Sequence, residues 1–590
     1  MDFKDQLHKL LKKEVKSDFN LEIPPDPSLG DFALPCFSLA KELKKSPVEI
    51  ASELGNKIKA DFLDRIEIKG PYLNFFLKKA SLITDVIPKS LEKDYGKEKQ
   101  DKNILIEFPS PNTNKPLHLG HIRNNVLGVA MANLFQSQGA AVTKVSVVND
   151  RGIHITKSMV AYKRWGEGKT PAETGEKGDH FVGRFYVLFE KEFEREWQEF
   201  AASHPEITNF SAEELAKRRQ EFFGESVIGQ EAQVMLRAWD AEDKSVRGLW
   251  QQMNQWVYDG FAATYKVLGS IFDKEYYESQ TYLLGKAIVK SGLEQGIFEQ
   301  QTDGSVWVDL TAEGLDRKIL QRHDGTSVYI TQDLGLACER QKEFNFDRLI
   351  YVVGHEQEYH FKVLFLIMKK LGFAWADKLR HLSYGLVFLP EGKMKSREGK
   401  VVDADDIIAE VKSLAFTEIK KRDHELSESE VNSRAQAIGV GALKFFLLRV
   451  TPTQAIHYNP AEAIAFEGAT GPYIQYAQAR IASILTAETP LAPDQIDFAK
   501  LESPEEKNII LKLLSYPQAV QQAATTYSPN VICDYLVGLS QAFNTFYHKH
   551  QVLRAADSDT KYARLLLSKA VQIVLRNGLN LLGMESPEEM

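Results

Sequence analysis

Two stretches of this chain combine short apolar runs with longer segments whose apolar residues recur every three to four positions. In the first stretch, an apolar run at 103–108 precedes a helical pattern at about 119–136, and a second apolar run follows at 141–148. Short apolar runs predict buried strands, whereas a spacing of three to four predicts a helix. Strand, helix and strand within about 45 residues form a βαβ unit, which indicates a parallel sheet.

The second stretch repeats this pattern far along the chain. It has a predicted strand at 348–354, a helix that continues to Lys370 and another strand at 381–387. Two such units predict an α/β fold with one doubly wound parallel sheet that is interrupted by an insertion. Sheets of this kind bind ligands at the carboxyl ends of their strands, so the loops that follow the strands are the places to search for a site.

Other regions flank or interrupt the predicted sheet. Residues 1–100 combine helical patterns with a strand-like segment at 70–77 and predict an α+β N-terminal domain. Residues 101–450 form the central domain, and a polar, helix-prone stretch at about 163–301 predicts a helical insertion within it. Residues 451–590 have helical patterns throughout, which predicts an all-α C-terminal domain.

Composition limits the location and the partners. A chain of 590 residues is too long for one core, so several domains are expected. The net charge of −8 means that any nucleic-acid surface must be a local patch. The three cysteines lie far apart without metal-ligand spacing, which favours a reducing cytoplasm and no protein-bound metal. Because no stretch reaches the roughly 18 apolar residues of a membrane span, we expect a cytoplasmic protein without membrane contact.

The first motif, residues 110–121 (SPNTNKPLHLGH), lies where a predicted strand is followed by a helix. The N-terminus of a helix offers unpaired N–H groups that attract anions. His118 and His121 can donate hydrogen bonds to phosphate oxygens, Lys115 adds a cation, and Gly120 leaves space for a nucleotide. An isolated pair of histidines is more often a chance surface feature, but the position between strand and helix favours nucleotide binding.

The second motif, residues 392–402 (GKMKSREGKVV), follows the last predicted strand of the second unit. Its cations are Lys393, Lys395, Arg397 and Lys400. Most basic loops are simply solvated, but a basic loop at the carboxyl edge of a sheet can neutralise charge that develops during nucleotidyl transfer. Removal of one such preorganised donor commonly slows a reaction about 10²–10³-fold.

Together the two motifs resemble the HIGH and KMSKS signatures of class I aminoacyl-tRNA synthetases. Within that class the chain resembles the arginyl-tRNA synthetases over nearly its whole length, most weakly in the predicted insertion. Further matching segments are 149–154 (NDRGIH), 323–334 (HDGTSVYITQDL), 351–361 (YVVGHEQEYHF), 466–481 (FEGATGPYIQYAQARI) and the C-terminal VLRNGLNLLGMESPEEM. The resemblance implies a Rossmann-like catalytic domain that uses ATP with Mg²⁺ to ligate L-arginine to tRNA(Arg).

The resemblance also implies an arginine pocket. Its residues would be Ser110, Asn112 and His121 at the polar end of the amino acid, and Tyr329, Asp333 and Gln357 at its side chain. The chemistry agrees independently, because a planar, permanently charged guanidinium pairs well with a carboxylate such as Asp333. A neutral amino acid would leave that carboxylate unpaired. Without the resemblance, an aspartate at the start of a helix is more often a cap.

By the same resemblance, ATP would be bound by His118, Gly120, His121 and Lys393, with His360 and Gly385 near the adenosine. Catalysis would rest on His118, His121, Lys393 and Lys115. The second motif departs from KMSKS, because Ser396 stands at the position of the second lysine. Either Lys115 or Lys395 would replace that lysine, and the sequence leaves both open.

Two further domains resemble tRNA-binding parts of the family. In the C-terminal domain, which resembles the anticodon-binding domain, Tyr473, Arg480 and Tyr547 are predicted to contact unpaired bases, as aromatic and arginine side chains can. In the N-terminal domain, which resembles the appendage that meets the tRNA elbow, Asn74 is the predicted contact. Aromatic residues at helical spacing usually pack in a core, and we expect this of Tyr476 and Phe543.

Other interpretations stay open at this point. The chain could be a class I synthetase for another amino acid, a nucleotidyltransferase, or a catalytically silent tRNA-binding paralogue. Retention of both histidines, Lys393 and Asp333 argues against the last of these. We expect a monomer without a prosthetic group.

Overall fold

The computed structural model describes residues 3–24, 27–389, 392–393, 402–422 and 424–590. The N-terminal elements are α1 (Phe3–Glu14), β1 (Phe32–Pro35), α2 (Phe37–Leu43), α3 (Pro47–Lys57), β2 (Leu63–Lys69) and β3 (Tyr72–Leu77). The strands form an antiparallel sheet in the order β1-β3-β2. The strand predicted at 70–77 is therefore β3, which lies in the middle of this sheet.

The first half of the central region continues the chain. Its elements are α4 (Lys79–Ser90), β4 (Asn103–Glu107), α5 (Leu119–Ser137), β5 (Ala141–Val148), α6 (Ile153–Trp165), α7 (Pro171–Thr174), α8 (Gly178–Ser203), α9 (Ala212–Phe222), α10 (Val227–Asp240) and α11 (Lys244–Leu268). The βαβ unit predicted at 103–148 thus forms β4, α5 and β5.

The second half completes the central region. Its elements are β6 (Lys274–Tyr277), α12 (Glu278–Thr281), α13 (Lys286–Glu294), β7 (Phe298–Gln300), β8 (Val306–Val308), β9 (Lys318–Gln321), α14 (Tyr329–Phe344), β10 (Arg348–Gly354), α15 (Glu358–Lys370), β11 (Leu379–Tyr384), β12 (Val387–Leu389), β13 (Gly392–Lys393), α16 (Ala404–Arg422) and α17 (Glu428–Leu448). Strands β7, β8 and β9 form a small antiparallel sheet of their own.

Five parallel strands form the main sheet in the order β11-β10-β4-β5-β6. Of these five strands, β4 comes first in the sequence, and it lies in the middle of the sheet with β5 on one side and β10 on the other. The winding direction therefore reverses at β4, and ligands bind at such a switch point, at the carboxyl ends of the strands. The doubly wound parallel sheet predicted from the sequence is confirmed.

The stretch at 163–301 differs from the predicted helical insertion. Helices α7 to α11 fill its first part, but β6 then joins the main sheet as an edge strand. Strand β6 has the sequence KEYY, of which only Tyr276 is buried. A short, polar edge strand has no apolar run, so the pattern of apolar residues could not indicate it.

Helix α5 lies at the centre of the molecule. Most of its 19 residues are buried, including the polar Arg123 and Asn124. Gly128 lets the helix approach the end of β4, since a Cβ at this position would come within 2.1 Å of the ring of Phe108. This contact holds α5, whose first residues belong to the first motif, against the switch point of the sheet.

The C-terminal elements are β14 (Ile456–His457), α18 (Pro460–Ala463), α19 (Gly471–Ala487), α20 (Pro504–Thr526), α21 (Asn530–Lys549) and α22 (Ser558–Leu581). The region after residue 451 is thus helical except for β14, which pairs with β12 of the central region. None of the helices in the described ranges combines the length and the apolar character of a membrane span.

Candidate active site

The two histidines of the first motif cap helix α5. Nδ1 of His118 accepts a hydrogen bond from the backbone N–H of Gly120 at 3.1 Å, and Nδ1 of His121 accepts one from the N–H of His118 at 3.1 Å. The centroids of the two rings lie 3.8 Å apart. A neutral imidazole that accepts at Nδ1 carries its hydrogen on Nε2, so each ring in its neutral form is a donor at Nε2.

The charge around the first motif favours a neutral His121. Burial lowers the pKa of His121 well below 6.5, and the charges of His118 and Lys115 lower it further. The pKa of His154 is also lowered, first by burial and then by Lys157 and Lys115. Lys115 lies in the loop before α5, its charge acts on both His121 and His154, and its contact with phosphate stays a prediction.

The second motif begins in a short strand that pairs with β12. Lys393 lies in β13, where its backbone pairs with Phe388 of β12. The side chain of Lys393 and residues 394–401, with Lys395, Ser396, Arg397 and Lys400, lie outside the described residues. The choice between Lys115 and Lys395 as the second lysine therefore stays open.

The last residue of the second motif and the residues that follow it contact the first motif directly. The backbone N–H of Leu119 donates to the carbonyl of Val402 at 3.4 Å, and the N–H of Ala404 donates to the carbonyl of Leu117 at 2.9 Å. Asp403 and His118 form an isolated β-bridge between these hydrogen bonds. The two motifs, nearly 300 residues apart in the chain, are thus neighbours at the carboxyl edge of the sheet.

Gly385 lies in a tight junction between three segments. Its N–H donates to the carbonyl of Pro452 at 3.0 Å, and a Cβ here would approach the carbonyl of Gln454 to 2.7 Å. The guanidinium of Arg123 donates to the carbonyls of Gly385, Leu386, Pro452 and Gln454 at 2.5–3.2 Å. The close approach of the backbone explains why glycine is needed at this position, and contact with adenosine stays a prediction for Gly385.

Ser110 and Asn112 lie in the loop that joins β4 to α5. The hydroxyl of Ser110 donates to Glu107 Oε1 at 3.2 Å, and the other oxygen of Glu107 pairs with the fully buried Arg340 of α14. The exposed Asn112 forms a parallel bridge to Asn149 at the end of β5. Both residues therefore lie at the carboxyl edge of the central strands, where the resemblance places the polar end of an amino acid.

The first turns of α14 and α15 face each other across the same edge. Asp333 Oδ2 lies 2.7 Å from Nε2 of His360, so a residue predicted for arginine and one predicted for ATP contact each other. Tyr329 is the first residue of α14 and is 74% exposed, and Gln357 is an exposed residue at the N-cap of α15. The structure thus gathers Tyr329, Asp333, Gln357 and His360 at two neighbouring helix starts.

Glu278, which the sequence did not single out, is a second carboxylate at this edge. It follows β6, and burial raises its pKa to about 7, helped by the charges of Asp150 and Asp333 and opposed by that of Arg151. Within the described part of the chain it forms no ion pair. A cation stabilises the ionised form of a buried acid that lies near other acids, so the surroundings of Glu278 suit a positively charged ligand. No apolar pattern marks β6, which explains why Glu278 was missed.

Asp150 fixes the position of Glu278. Its carboxylate accepts hydrogen bonds from the N–H and hydroxyl of Ser279 at 2.9 and 2.8 Å and from the hydroxyl of Tyr258 at 2.9 Å. These bonds connect the end of β5 with the residue after Glu278 and with α11. Asp150 is almost fully buried, and its bonds to Ser279 hold the neighbouring Glu278 in place.

The residues predicted to contact tRNA have different surroundings. Asn74 is only 3% exposed, because β3 is covered by strands on both edges and by helices, so its side chain is not at the surface as the prediction requires. In the C-terminal region, Asn544 accepts from Arg480 at 2.7 Å and donates to the hydroxyl of Tyr473 at 2.9 Å.

The guanidinium of Arg480 also lies 4.8 Å from the ring of Tyr476 and 5.3 Å from that of Tyr547. Tyr476 and Tyr547 are each 36% exposed, whereas Phe543 is fully buried. The expected core position is thus correct for Phe543 and wrong for Tyr476, which lies on the outer face of α19. The structure brings Tyr473, Arg480 and Tyr547 together with Tyr476 in one cluster.

Sequence models of known families cover most of the chain. Residues 84–456 match "tRNA synthetases class I (R), catalytic domain", residues 474–590 match "DALR anticodon binding domain", and residues 1–77 match "Arginyl tRNA synthetase N terminal domain". The matched order is N-terminal domain, catalytic domain and anticodon-binding domain.

Individual relatives and solved structures agree with these matches. The chain is 45% identical to the arginine–tRNA ligase of Treponema denticola over 96% of this chain and 94% of the relative, and 45% identical to that of Parabacteroides distasonis over 95% and 94%. The arginyl-tRNA synthetase of Thermus thermophilus superposes with a TM-score of 0.80 at 25% identity over the whole of both chains.

Proposed function

The chain belongs to the arginyl-tRNA synthetase family of class I aminoacyl-tRNA synthetases, and we propose that it activates L-arginine with ATP and transfers it to the 3′-terminal ribose of tRNA(Arg). Its order of domains and the geometry at the carboxyl edge of the main sheet support this activity. The observation that carries the choice of amino acid is the pair of carboxylates, Asp333 and Glu278, which lie close enough at this edge for the charge of Asp333 to raise the pKa of Glu278.

A guanidinium fits this pair because it is permanently charged and donates several hydrogen bonds in one plane. Burial is the main cause of the raised pKa of Glu278, and repulsion from the like charge of Asp333 raises that pKa further. A bound guanidinium removes this repulsion, while a neutral side chain leaves it in place. Selectivity for arginine therefore follows from the free energy of leaving the two acids without a guanidinium partner when any other amino acid is bound.

In the first step, a carboxylate oxygen of arginine attacks the α-phosphorus of ATP, supplied with Mg²⁺ as its substrate complex. The bond from the α-phosphorus to the bridging oxygen breaks, which gives arginyl-adenylate and pyrophosphate. The Nε2–H groups of His118 and His121 and the ammonium of Lys115 are placed to stabilise charge on the phosphate oxygens. We assign the same role to Lys393 from its position in the second motif.

In the second step, the terminal ribose hydroxyl of tRNA attacks the carbonyl carbon of the adenylate, and AMP leaves. The cluster of Tyr473, Arg480 and Tyr547 offers stacking faces and a cation to unpaired bases of tRNA. No side chain needs to form a covalent bond in either step, so positioning and electrostatic stabilisation carry the reaction. We propose that the enzyme works as a cytoplasmic monomer.

A charging assay tests the proposed function. The purified chain, ATP, Mg²⁺, unfractionated tRNA and one radiolabelled amino acid at a time are incubated, and acid-precipitable label is counted. Arginine alone is expected to be esterified, and periodate treatment of the tRNA ends should abolish the signal. Charging with another amino acid, or none with arginine, would refute the proposal.

A further inference from the structure

A group of charged and polar side chains joins the helices α8 and α11 to the chain that leaves the second motif. We name it the α8 cluster, and its members are Lys177, Asp179, His180, Thr264, Asp403 and Asp405. Nζ of Lys177 donates to Asp405 Oδ2 and to Thr264 Oγ1, each at 2.6 Å, and Thr264 Oγ1 donates to Asp405 Oδ1 at 2.8 Å. Both oxygens of Asp405 are thus held by groups from the helical region.

His180 links the same elements a second time. Its Nε2 lies 3.1 Å from Asp405 Oδ2 and 3.3 Å from Asp403 Oδ2. Hydrogen bonds to Asp403 and Asp405 raise the pKa of His180 to about 10, so the imidazole is charged near neutral pH. Burial opposes the ionised form of Asp405, but the bonds from His180 and Lys177 outweigh it and lower the pKa of Asp405 below its usual value.

The start of α8 packs closely against α11. A Cβ at Gly178 would meet the carbonyl oxygen of Trp256 at 1.9 Å, and a Cβ at Gly260 would meet Asp179 Oδ1 at 2.4 Å. Asp179 is fully buried, and its Oδ2 lies 3.2 Å from Lys177. The two glycines thus let the helices pack in close contact, and Lys177 and His180 extend from this contact toward Asp405.

The segment that the α8 cluster holds is the one that touches the first motif. Val402 and Ala404 form backbone hydrogen bonds with Leu119 and Leu117, on either side of His118. The three groups Asp179, His180 and Asp405 could together suit a metal ion, but the ammonium of Lys177 already fills the cationic position between the carboxylates. The geometry therefore indicates a structural ion-pair network and not a metal site.

We propose that Lys177, His180 and Thr264 are positioning residues for ATP, which hold Asp403 and Asp405 so that residues 402–405 keep His118 at the place where it meets the phosphates. The inference rests on the proposed function and extends it, because it assigns a role in activation to the helical region α8–α11. This role differs from arginine recognition, since Asp333 and Glu278 lie at other helix starts.

Three variants and one control test the inference. Lys177→Met and Asp405→Asn remove the main ion pair, and Lys177→Arg keeps a cation. The control, Arg164→Met, removes a 2.6 Å ion pair between Arg164 of α6 and Glu231 of α10, which does not involve residues 402–405. Each protein is compared with the wild type in arginine-dependent ATP–pyrophosphate exchange. Thermal unfolding first establishes that each is folded at the assay temperature.

We expect Lys177→Met and Asp405→Asn to lower kcat about tenfold to hundredfold, the loss that a displacement of about 1 Å produces, and to leave KM for arginine within about twofold. Lys177→Arg should recover most of the rate, and Arg164→Met should match the wild type. Wild-type rates in both folded variants, or an equal loss in Arg164→Met, would overturn the inference.

Equilibrium dialysis with labelled ATP separates this inference from the proposed function. Folded Lys177→Met protein should bind ATP about tenfold more weakly than the wild type, whichever amino acid the enzyme uses. If wild-type protein binds ATP but shows no exchange with arginine even when tRNA is present, the proposed function fails, while the ATP affinities of the variants still decide the inference. Unchanged ATP affinity together with unchanged kcat would refute it.

Discussion

Asp333 contacts the imidazole of His360 in the free protein, and we propose that it pairs with the guanidinium of arginine in the complex. The Asp333→Asn substitution keeps a hydrogen bond to His360 but removes the charge. We expect it to weaken arginine binding by roughly 1.5–3 kcal/mol, about tenfold or more in KM, and to leave KM for ATP within about twofold. Steady-state exchange kinetics measure both constants, and a collapse of ATP binding would mean that Asp333 supports the fold.

Glu278 makes arginine binding depend on pH. Its pKa of about 7 in the folded protein lies above the usual value of 4.5, so its stabilising contribution is fully present below about pH 4.5 and is lost as the pH rises through 7. Arginine needs the ionised form, so its dissociation constant should fall between pH 6 and pH 8. Calorimetric titrations at both values measure this change. The Glu278→Gln variant should show a flat profile, and a slope equal to that of the wild type would contradict the role.

At the scale of residues, the sequence predicted one acid of this pair and missed the other. Asp333 lies near the start of α14 in a segment with a specific resemblance, whereas Glu278 follows a polar edge strand without an apolar run. The burial of Asn74 was missed for the opposite reason, because a polar side chain suggests a surface position unless its neighbours in space are known, and its contact with tRNA stays a prediction. Burial depends on the neighbours in space, which local patterns do not contain.

At the scale of elements, Arg123 joins helix α5 to the ends of β11 and β12 and to the chain before β14. The Arg123→Met substitution removes the guanidinium donor from four backbone carbonyls, and two of the lost hydrogen bonds, to Gly385 and Pro452, are buried. We expect a loss of roughly 3 kcal/mol in the free energy of unfolding. The midpoint of thermal unfolding should fall by several degrees. Arg576→Met, which removes an exposed pair with Glu588, is the control and should change stability by less than about 1 kcal/mol. Equal midpoints for the two variants would contradict the account.

The elements that the sequence predicted well are those with long or strongly apolar patterns. β4, α5, β5 and β10 lie where the apolar runs and helical spacing place them. Strands β12, β13 and β14 have only two or three residues each, too few for any periodicity, and β14 lies in a region whose other elements are helices. Such strands form because partners come together in three dimensions, which a local pattern cannot indicate.

At the scale of the whole molecule, a buried ion pair connects the two ends of the chain. Asp31 has a fully buried carboxylate that accepts from the N–H of Leu77 at 2.7 Å and pairs with Lys507 of α20 at 3.0 Å. Its partner is 476 positions away in the sequence, and no motif marks either residue. The packing of the N-terminal sheet on the C-terminal helices was therefore beyond sequence-based prediction.

The Lys507→Met substitution leaves the carboxylate of Asp31 buried without its cation. Breaking such a pair is strongly destabilising, by about 3–5 kcal/mol, so the N-terminal domain should become easier to cleave by limited proteolysis. Because the proposed catalytic residues lie at the edge of the central sheet, KM values for arginine and ATP should stay within about twofold. Lys549→Met, at a more exposed pair with Glu505, should resist proteolysis like the wild type. Unchanged proteolysis of Lys507→Met would show that this pair does not hold the domains together.

The central claim, that paired acids at the edge of the sheet select arginine for activation by ATP, is tested most directly by ATP–pyrophosphate exchange. The wild-type chain is assayed with each of the standard amino acids in turn, with and without tRNA. The account predicts exchange with arginine and background rates with every other amino acid, lysine included, because an ammonium cannot satisfy two carboxylates in the plane of a guanidinium. Exchange with another amino acid, or none with arginine even when tRNA is present, would contradict it.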